Sequence, residues 1–302
     1  MQNLINKYSE IMEKNIEADK WAVHKRNDQR SLVKCSIPFI GKKYFEQDVK
    51  ILVYASAEVL SDYYPDSKSE RPWLDDDTKA VNRYRYFFDC ADKQKERFFP
   101  NVHIQPMNDG ALAVAVGYIA SKVMKLDDDI TPREFYEKIA FGNYGKYTRE
   151  TEHQHNLRVG QTDSGDNRNK DYASNSRFLR LSRDFVKADI EALRPDYIIM
   201  PKSIYNVERK YIDSIKGEAK IVPMYQMNSS VINRIIHGKK KDNNTRVYEE
   251  KDLTLIHPAI KVWYDSLQDN GISGQTKENY RSVFTYIDKD KNIREALNIS
   301  GS

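Results

Sequence analysis

The sequence predicts a three-layer α/β/α fold on a four-stranded parallel sheet. Four short apolar runs, at 49–54, 139–141, 197–200 and 219–225, have the length of buried strands. Segments of helical periodicity separate them, and strands alternating with helices imply crossover units. The chain has 302 residues, of which 39% are hydrophobic and 31% charged. At roughly 150 residues per domain this allows one large core. The expected division is an N-terminal helical extension (1–35), an α/β domain (36–240) and a C-terminal extension packing on it (241–302).

In chain order, Leu4, Ile5, Tyr8, Ile11, Met12 and Ile16 recur at helical spacing. Val49–Tyr54 reads as the first strand. Residues 61–105 are polar, aromatic and irregular. Asn108-Asp109-Gly110 starts a helix that is apolar nearly all round, hence buried. Thr131-Pro132-Arg133-Glu134 has the form of a capping box with proline at the first helical position. It feeds the strand Ile139–Phe141, and residues 145–173 follow as a long polar loop. A helix over 174–193 ends at Arg194-Pro195-Asp196, before the strand Tyr197–Met200. Lys202–Ile215 is helical, and Gly217 ends it before the strand 219–225. Ser229 or Ser230 caps a further helix to about His237. A helix then contains Val262, Trp263 and Leu267. The charged tail from Gly271 is expected to be peripheral.

Composition excludes several classes. No apolar run approaches the ~18 residues of a membrane span, so no membrane partner is expected. The opening MQNLINKYSEIMEKN has no apolar signal core, and a cytoplasmic location is expected. Two cysteines, Cys35 and Cys90, cannot build a disulfide framework or a four-cysteine metal site. With 49 Lys+Arg against 45 Asp+Glu, net charge is +4, so nucleic-acid binding would need local patches. Walker and dinucleotide glycine patterns are absent, as is a Gly-x-Ser-x-Gly elbow. TEHQH at 151–155 and Asp75-Asp76-Asp77 read as solvated polar segments, and no metal or cofactor is expected.

In a parallel sheet, functional residues belong at the carboxyl ends of the strands. Those positions carry Glu58 and Asp62, then Asn143 and Lys146, then Lys202 and Ser203, then Asn228, Ser229 and Ser230. The stretch IAFGNYGKY, a polar loop and SNSRFLRLSRDFVKADIEALRPDYIIMPKSIY resemble the uracil-DNA glycosylase superfamily over roughly residues 36–237. Asn143 and Lys146 match that family's Asn-x-x-Lys context at the second strand, and Leu193–Asp196 matches its LRPD lead into a strand. The resemblance implies a metal-free enzyme that hydrolyses the N-glycosidic bond of a flipped DNA base.

The chemistry assigns roles to these residues. Loss of a base passes through an oxocarbenium-like sugar, so one carboxylate or amide must hold water on its far face. Glu58 is the first choice and Asp62 the second. Asn143 offers both donor and acceptor to a base edge. Tyr63, Tyr64 or Trp73 would stack on the base. Asn228 or His257 would stabilise the departing base. Lys146, Lys202, Ser203, Ser229, Ser230 and Arg234 would contact DNA phosphates.

The family's first motif is replaced by ASAE, and its fourth-strand His-Pro-Ser by Gln226–Ser230. A modified or damaged base, as in phage DNA met in a defence role, is therefore the expected target. Two rival readings are an inactive DNA- or nucleotide-binding module of the same fold, and an unrelated metal-dependent phosphatase or α/β hydrolase.

Overall fold

The computed structural model describes residues 2–17, 38–59, 108–149, 179–180, 182–225, 227, 235, 247–267 and 277–299. Five strands form one sheet: β1 (Phe39–Ile40), β2 (Ile51–Val59), β3 (Ala140–Arg149), β4 (Tyr197–Pro201) and β5 (Lys220–Met224). Their order is β1-β3-β2-β4-β5. β3, β2, β4 and β5 are mutually parallel, and β1 pairs antiparallel with β3. The expected four parallel strands are therefore joined by a fifth. β1 has only two residues, too short for an apolar pattern to register. Its exit is set by Gly41, whose N–H donates to Ile139 O at 3.0 Å. A Cβ at Gly41 would strike the backbone of Tyr136 and Glu137.

The helices are α1 (Gln2–Glu17), α2 (Asn108–Ala120), α3 (Pro132–Tyr136), α4 (Arg183–Leu193), α5 (Lys202–Ile215), α6 (Pro258–Ser266), α7 (Lys277–Lys289) and α8 (Lys291–Leu297). Strand side chains alternate between two cores. Ile51, Val53, Ile199, Val222 and Met224 face a layer containing α2, α6, α7 and α8. Leu52, Tyr54, Ile198, Met200 and Ile221 face α1, α4 and α5. The sheet is thus covered on both faces, as a parallel sheet requires. The β2–β3 crossover uses one face, and the β3–β4 and β4–β5 crossovers use the other. Direction along the sheet reverses with the face, so all three share one hand.

Local chemistry explains the joints. Thr131 caps α3: its hydroxyl accepts from Glu134 N, and Glu134 accepts from Thr131 N at 2.9 Å. Arg194 ends α4 in the left-handed region at φ 46. Pro195 cannot continue the helix. Asp196 then accepts from Lys50 N at 2.7 Å and donates its own N–H to Lys50 O at 2.8 Å, joining the starts of β2 and β4. Gly217, at φ 57, makes the turn into β5.

Three elements differ from the expectation. β2 and β3 run to Val59 and Arg149, well past the apolar runs at 49–54 and 139–141. Beyond Tyr54 and Phe141 they pair through Ala55, Ala57, Asn143 and Gly145, which carry no apolar alternation. The tail is not peripheral. Tyr280, Val283, Phe284, Tyr286 and Ile287 of α7, and Ile293 and Leu297 of α8, are buried in the core. No helix among the described residues is long and apolar enough to cross a membrane.

Candidate functional site

Strand order points to a candidate site. The chain passes from β2 to β3 on one side, then crosses back to β4 on the other. The direction of travel reverses between β2 and β4, and open α/β sheets bind ligands outside the carboxyl ends at such a point. Register sets what lies there. Ala55 pairs with Asn143 and Ala57 with Gly145, while Pro201 pairs with Met224. Glu58 lies within β2, one residue past Ala57, at a break in register between Ala57 and Val59. Asn143 lies within β3 rather than just after it. It is half-buried, on the sheet face that Phe141 shares with α2 and α6.

Lys146 occupies a different place from the expected phosphate contact. Its side chain has no exposure, and its Nζ lies 2.5 Å from Asp189 Oδ2, equally buried. The Tyr54 hydroxyl donates to the same oxygen at 2.9 Å, and the Tyr8 hydroxyl donates to Asp189 Oδ1 at 2.5 Å. The Lys146 ammonium also lies over the Tyr8 and Tyr54 rings, 5.6 and 5.2 Å from their centroids. Burial drives the Asp189 carboxyl above its usual range, and Lys146 and both hydroxyls pull it back. The Tyr54 hydroxyl is pushed up by burial, then by the Asp189 charge. An ammonium so enclosed cannot reach a phosphate. The lysine that matches the Asn-x-x-Lys pattern is part of the core.

A second buried carboxylate lies beside it. Glu208 accepts from Arg183 Nε at 2.7 Å and from the Tyr144 hydroxyl at 3.1 Å. Ser182 does not cap α4; its hydroxyl accepts from Lys146 N at 2.9 Å. These contacts lock β3 to α4 and α5 directly beneath Asn143.

At the ends of β4 and β5 the surface is more open. Lys202 donates to Asp290 at 2.9 Å and lies over the Tyr225 ring, 5.2 Å from its centroid. Tyr225 stacks on Tyr286 with centroids 5.2 Å apart, and Tyr248 meets Tyr286 edge-on at 5.7 Å. Ser203 is exposed in the first turn of α5. This aromatic cluster was not anticipated. Its signal was Tyr225, the residue directly after β5, but Tyr286 is 61 positions away.

His257 is not brought to a strand end. It precedes α6, with Nε2 3.3 Å from Leu126 O and 3.6 Å from Asp128. Those residues belong to the link between α2 and α3, which leads into the start of β3. Nδ1 of His257 is buried without a partner among the described residues.

Asp62, Tyr63, Tyr64, Trp73, Asn228, Ser229, Ser230 and Arg234 lie outside the described residues, as do 75–77 and 151–155. The described residues contain no cluster of three or more His, Cys, Asp or Glu able to hold a metal. No protein-family model, curated protein or solved structure matches the chain. Function must therefore be read from the residues themselves.

Proposed function

We propose that the protein is a DNA glycosylase-like enzyme acting on a flipped, modified or damaged base. The observation that carries this is the placement of Glu58 and Asn143 on adjacent parallel strands, β2 and β3, beside the β2–β4 reversal, with Glu58 at the break in register between Ala57 and Val59 that interrupts the alternation of faces along β2. A carboxylate and an amide at one carboxyl edge are the pair that base hydrolysis needs. Glu58 holds the attacking water and takes its proton as the sugar gains positive charge. Asn143 reads the polar edge of the base through its carbonyl and amide. Its backbone is fixed by the strand pairing and by the buried Tyr144 and Lys146 anchors, so its geometry is set before the base arrives. The donor for the departing base falls to Asn228, since His257 packs against the α2–α3 link.

The test is an abasic-site assay. Wild-type protein and Glu58→Gln are incubated with DNA carrying uracil, damaged bases or phage-type modified bases, then treated with alkali. Wild type should give strand cleavage on at least one substrate. Glu58→Gln should lower the rate about 10²–10⁴-fold, the usual contribution of a general base. Asn143→Ala should slow it and blunt discrimination between bases.

One observation favours a second reading, a binding module that keeps the fold without the chemistry. Of the two residues matching the Asn-x-x-Lys pattern, Lys146 is wholly structural. Salt-sensitive DNA binding with no alkali-labile sites on any substrate would establish that reading in place of the enzyme.

A further inference from the structure

The corner between α7 and α8 carries cations that the fold does not neutralise. A groove of about 430 Å³ is lined there by Lys289, Lys291, Arg294, Glu295, Asn298 and Ile299. The neighbouring acids are already engaged. Asp288 lies 2.7 Å from both Lys122 and Lys251. Asp290 accepts from Lys202, and its other oxygen accepts from the N–H groups of Asn292 and Ile293. Lys289 and Arg294 have no ion pair among the described residues. Among the described residues, Glu295 opposes them, 3.7 Å from Lys291, and that pair is highly exposed and contributes little.

Helix dipoles account for part of this charge. Lys289 and Arg294 sit in the last turns of α7 and α8, where a cation is favoured. Lys291 is the opposite case. It opens α8, where the dipole disfavours a cation, and its side chain is 85% exposed, so packing does not require it. Its one ion pair among the described residues, the exposed contact with Glu295, returns little, and a local rule broken for so little return is expected at a functional surface.

The groove adjoins the proposed site. Lys202, the first residue after β4, binds Asp290, which lies between Lys289 and Lys291. We infer that this groove holds the phosphate backbone of a nucleic-acid strand entering the carboxyl edge, with Lys289, Lys291 and Arg294 on successive phosphates. The inference rests on the proposed function for the identity of the polyanion. Half-buried Tyr225 and Tyr248, beside Lys202, supply aromatic surface next to those cations, the combination used for single-stranded segments.

The test measures binding of the full chain to a fluorescent duplex and a fluorescent single strand between 50 and 200 mM KCl. The variant Lys289→Gln/Lys291→Gln/Arg294→Gln should bind about tenfold or more weakly at 100 mM salt. Its slope of log K against log salt should fall by about 2–3, one unit per lost phosphate contact. A control, Lys187→Gln/Arg209→Gln/Lys210→Gln, removes exposed cations from α4 and α5 and should bind like wild type. Thermal melting confirms that both variants fold. Unchanged binding in the groove variant, equal loss in the control, or no binding by wild type at 50 mM salt overturns the groove. Binding through the groove without base release would overturn only the glycosylase chemistry. Base release with an unchanged salt slope in the groove variant would overturn only the groove.

Discussion

Lys146 has no solvent contact, and Asp189 supplies the only buried carboxylate within 4 Å of its ammonium among the described residues. Removing one partner of a buried pair costs far more than the pair itself contributes, because the other charge is stranded. Asp189→Asn should therefore lose about 3–5 kcal/mol in denaturant unfolding. An unchanged midpoint would show that the ammonium finds water. Gly117 tests packing against helix propensity. Alanine gains about 1 kcal/mol as a helix former, but its Cβ would meet the Trp263 ring and Ile260. Overpacking costs typically 1–3 kcal/mol, so Gly117→Ala should lower the melting temperature. Asp288 gives the pH dependence. Burial alone raises it, but Lys122, Lys251 and the Tyr118 hydroxyl outweigh that and hold it below the usual carboxylate range. A carboxyl depressed on folding contributes stability above its unfolded value, about pH 4, and loses it as pH falls through the folded value. Asp288→Asn should be less stable than wild type at pH 7, by about 1–2 kcal/mol, and the difference should vanish at low pH in paired melts.

At the scale of elements, what was legible followed the strength of the apolar pattern. α1, α5, β4 and β5 lie close to their expected bounds, and α2 starts at the expected Asn108 but ends at Ala120, short of the apolar run to Met124; each buries a continuous or periodic apolar face. The capping box at Thr131 was readable because its two partners, Thr131 and Glu134, are three positions apart and purely local. β1 was not readable, since two residues cannot show a period. The outer halves of β2 and β3 were missed because Ala55-Ser56-Ala57 and Gly145-Lys146 lack the signature of a strand, though parallel pairing carries them on. That extension moves Glu58 and Asn143 from loops onto strands: Asn143 is held by its pairing with Ala55, while Glu58 stands at the break in register between Ala57 and Val59. Tyr280, Val283, Phe284 and Ile287 have helical spacing, but they stand among charged neighbours that masked the pattern. The Lys146–Asp189 pair was beyond sequence reasoning: lysine is mostly exposed, and its partner is 43 positions away.

At the scale of the molecule, α7 and α8 complete one of the two cores. Their buried residues are Tyr280, Val283, Phe284, Tyr286, Ile287, Ile293 and Leu297. At about 1.5–3 kcal/mol for each buried apolar side chain, their sum rivals the ~5–15 kcal/mol stability of a whole domain. A chain ending at residue 270 should therefore lack a cooperative unfolding transition by circular dichroism. A sharp melt from it would mean that the sheet and the other helices suffice. The Tyr8 hydroxyl, which donates to Asp189, has a consequence in time. Tyr8 and Asp189 are 181 positions apart in the chain. At ~5–20 residues per second of synthesis, roughly 10–40 seconds separate their emergence from the ribosome. Through that interval α1 has no α4 to rest on, and Leu4 and Tyr8 must wait uncovered. The nascent chain thus offers a chaperone an early, sticky segment that disappears from view only when the middle of the protein arrives.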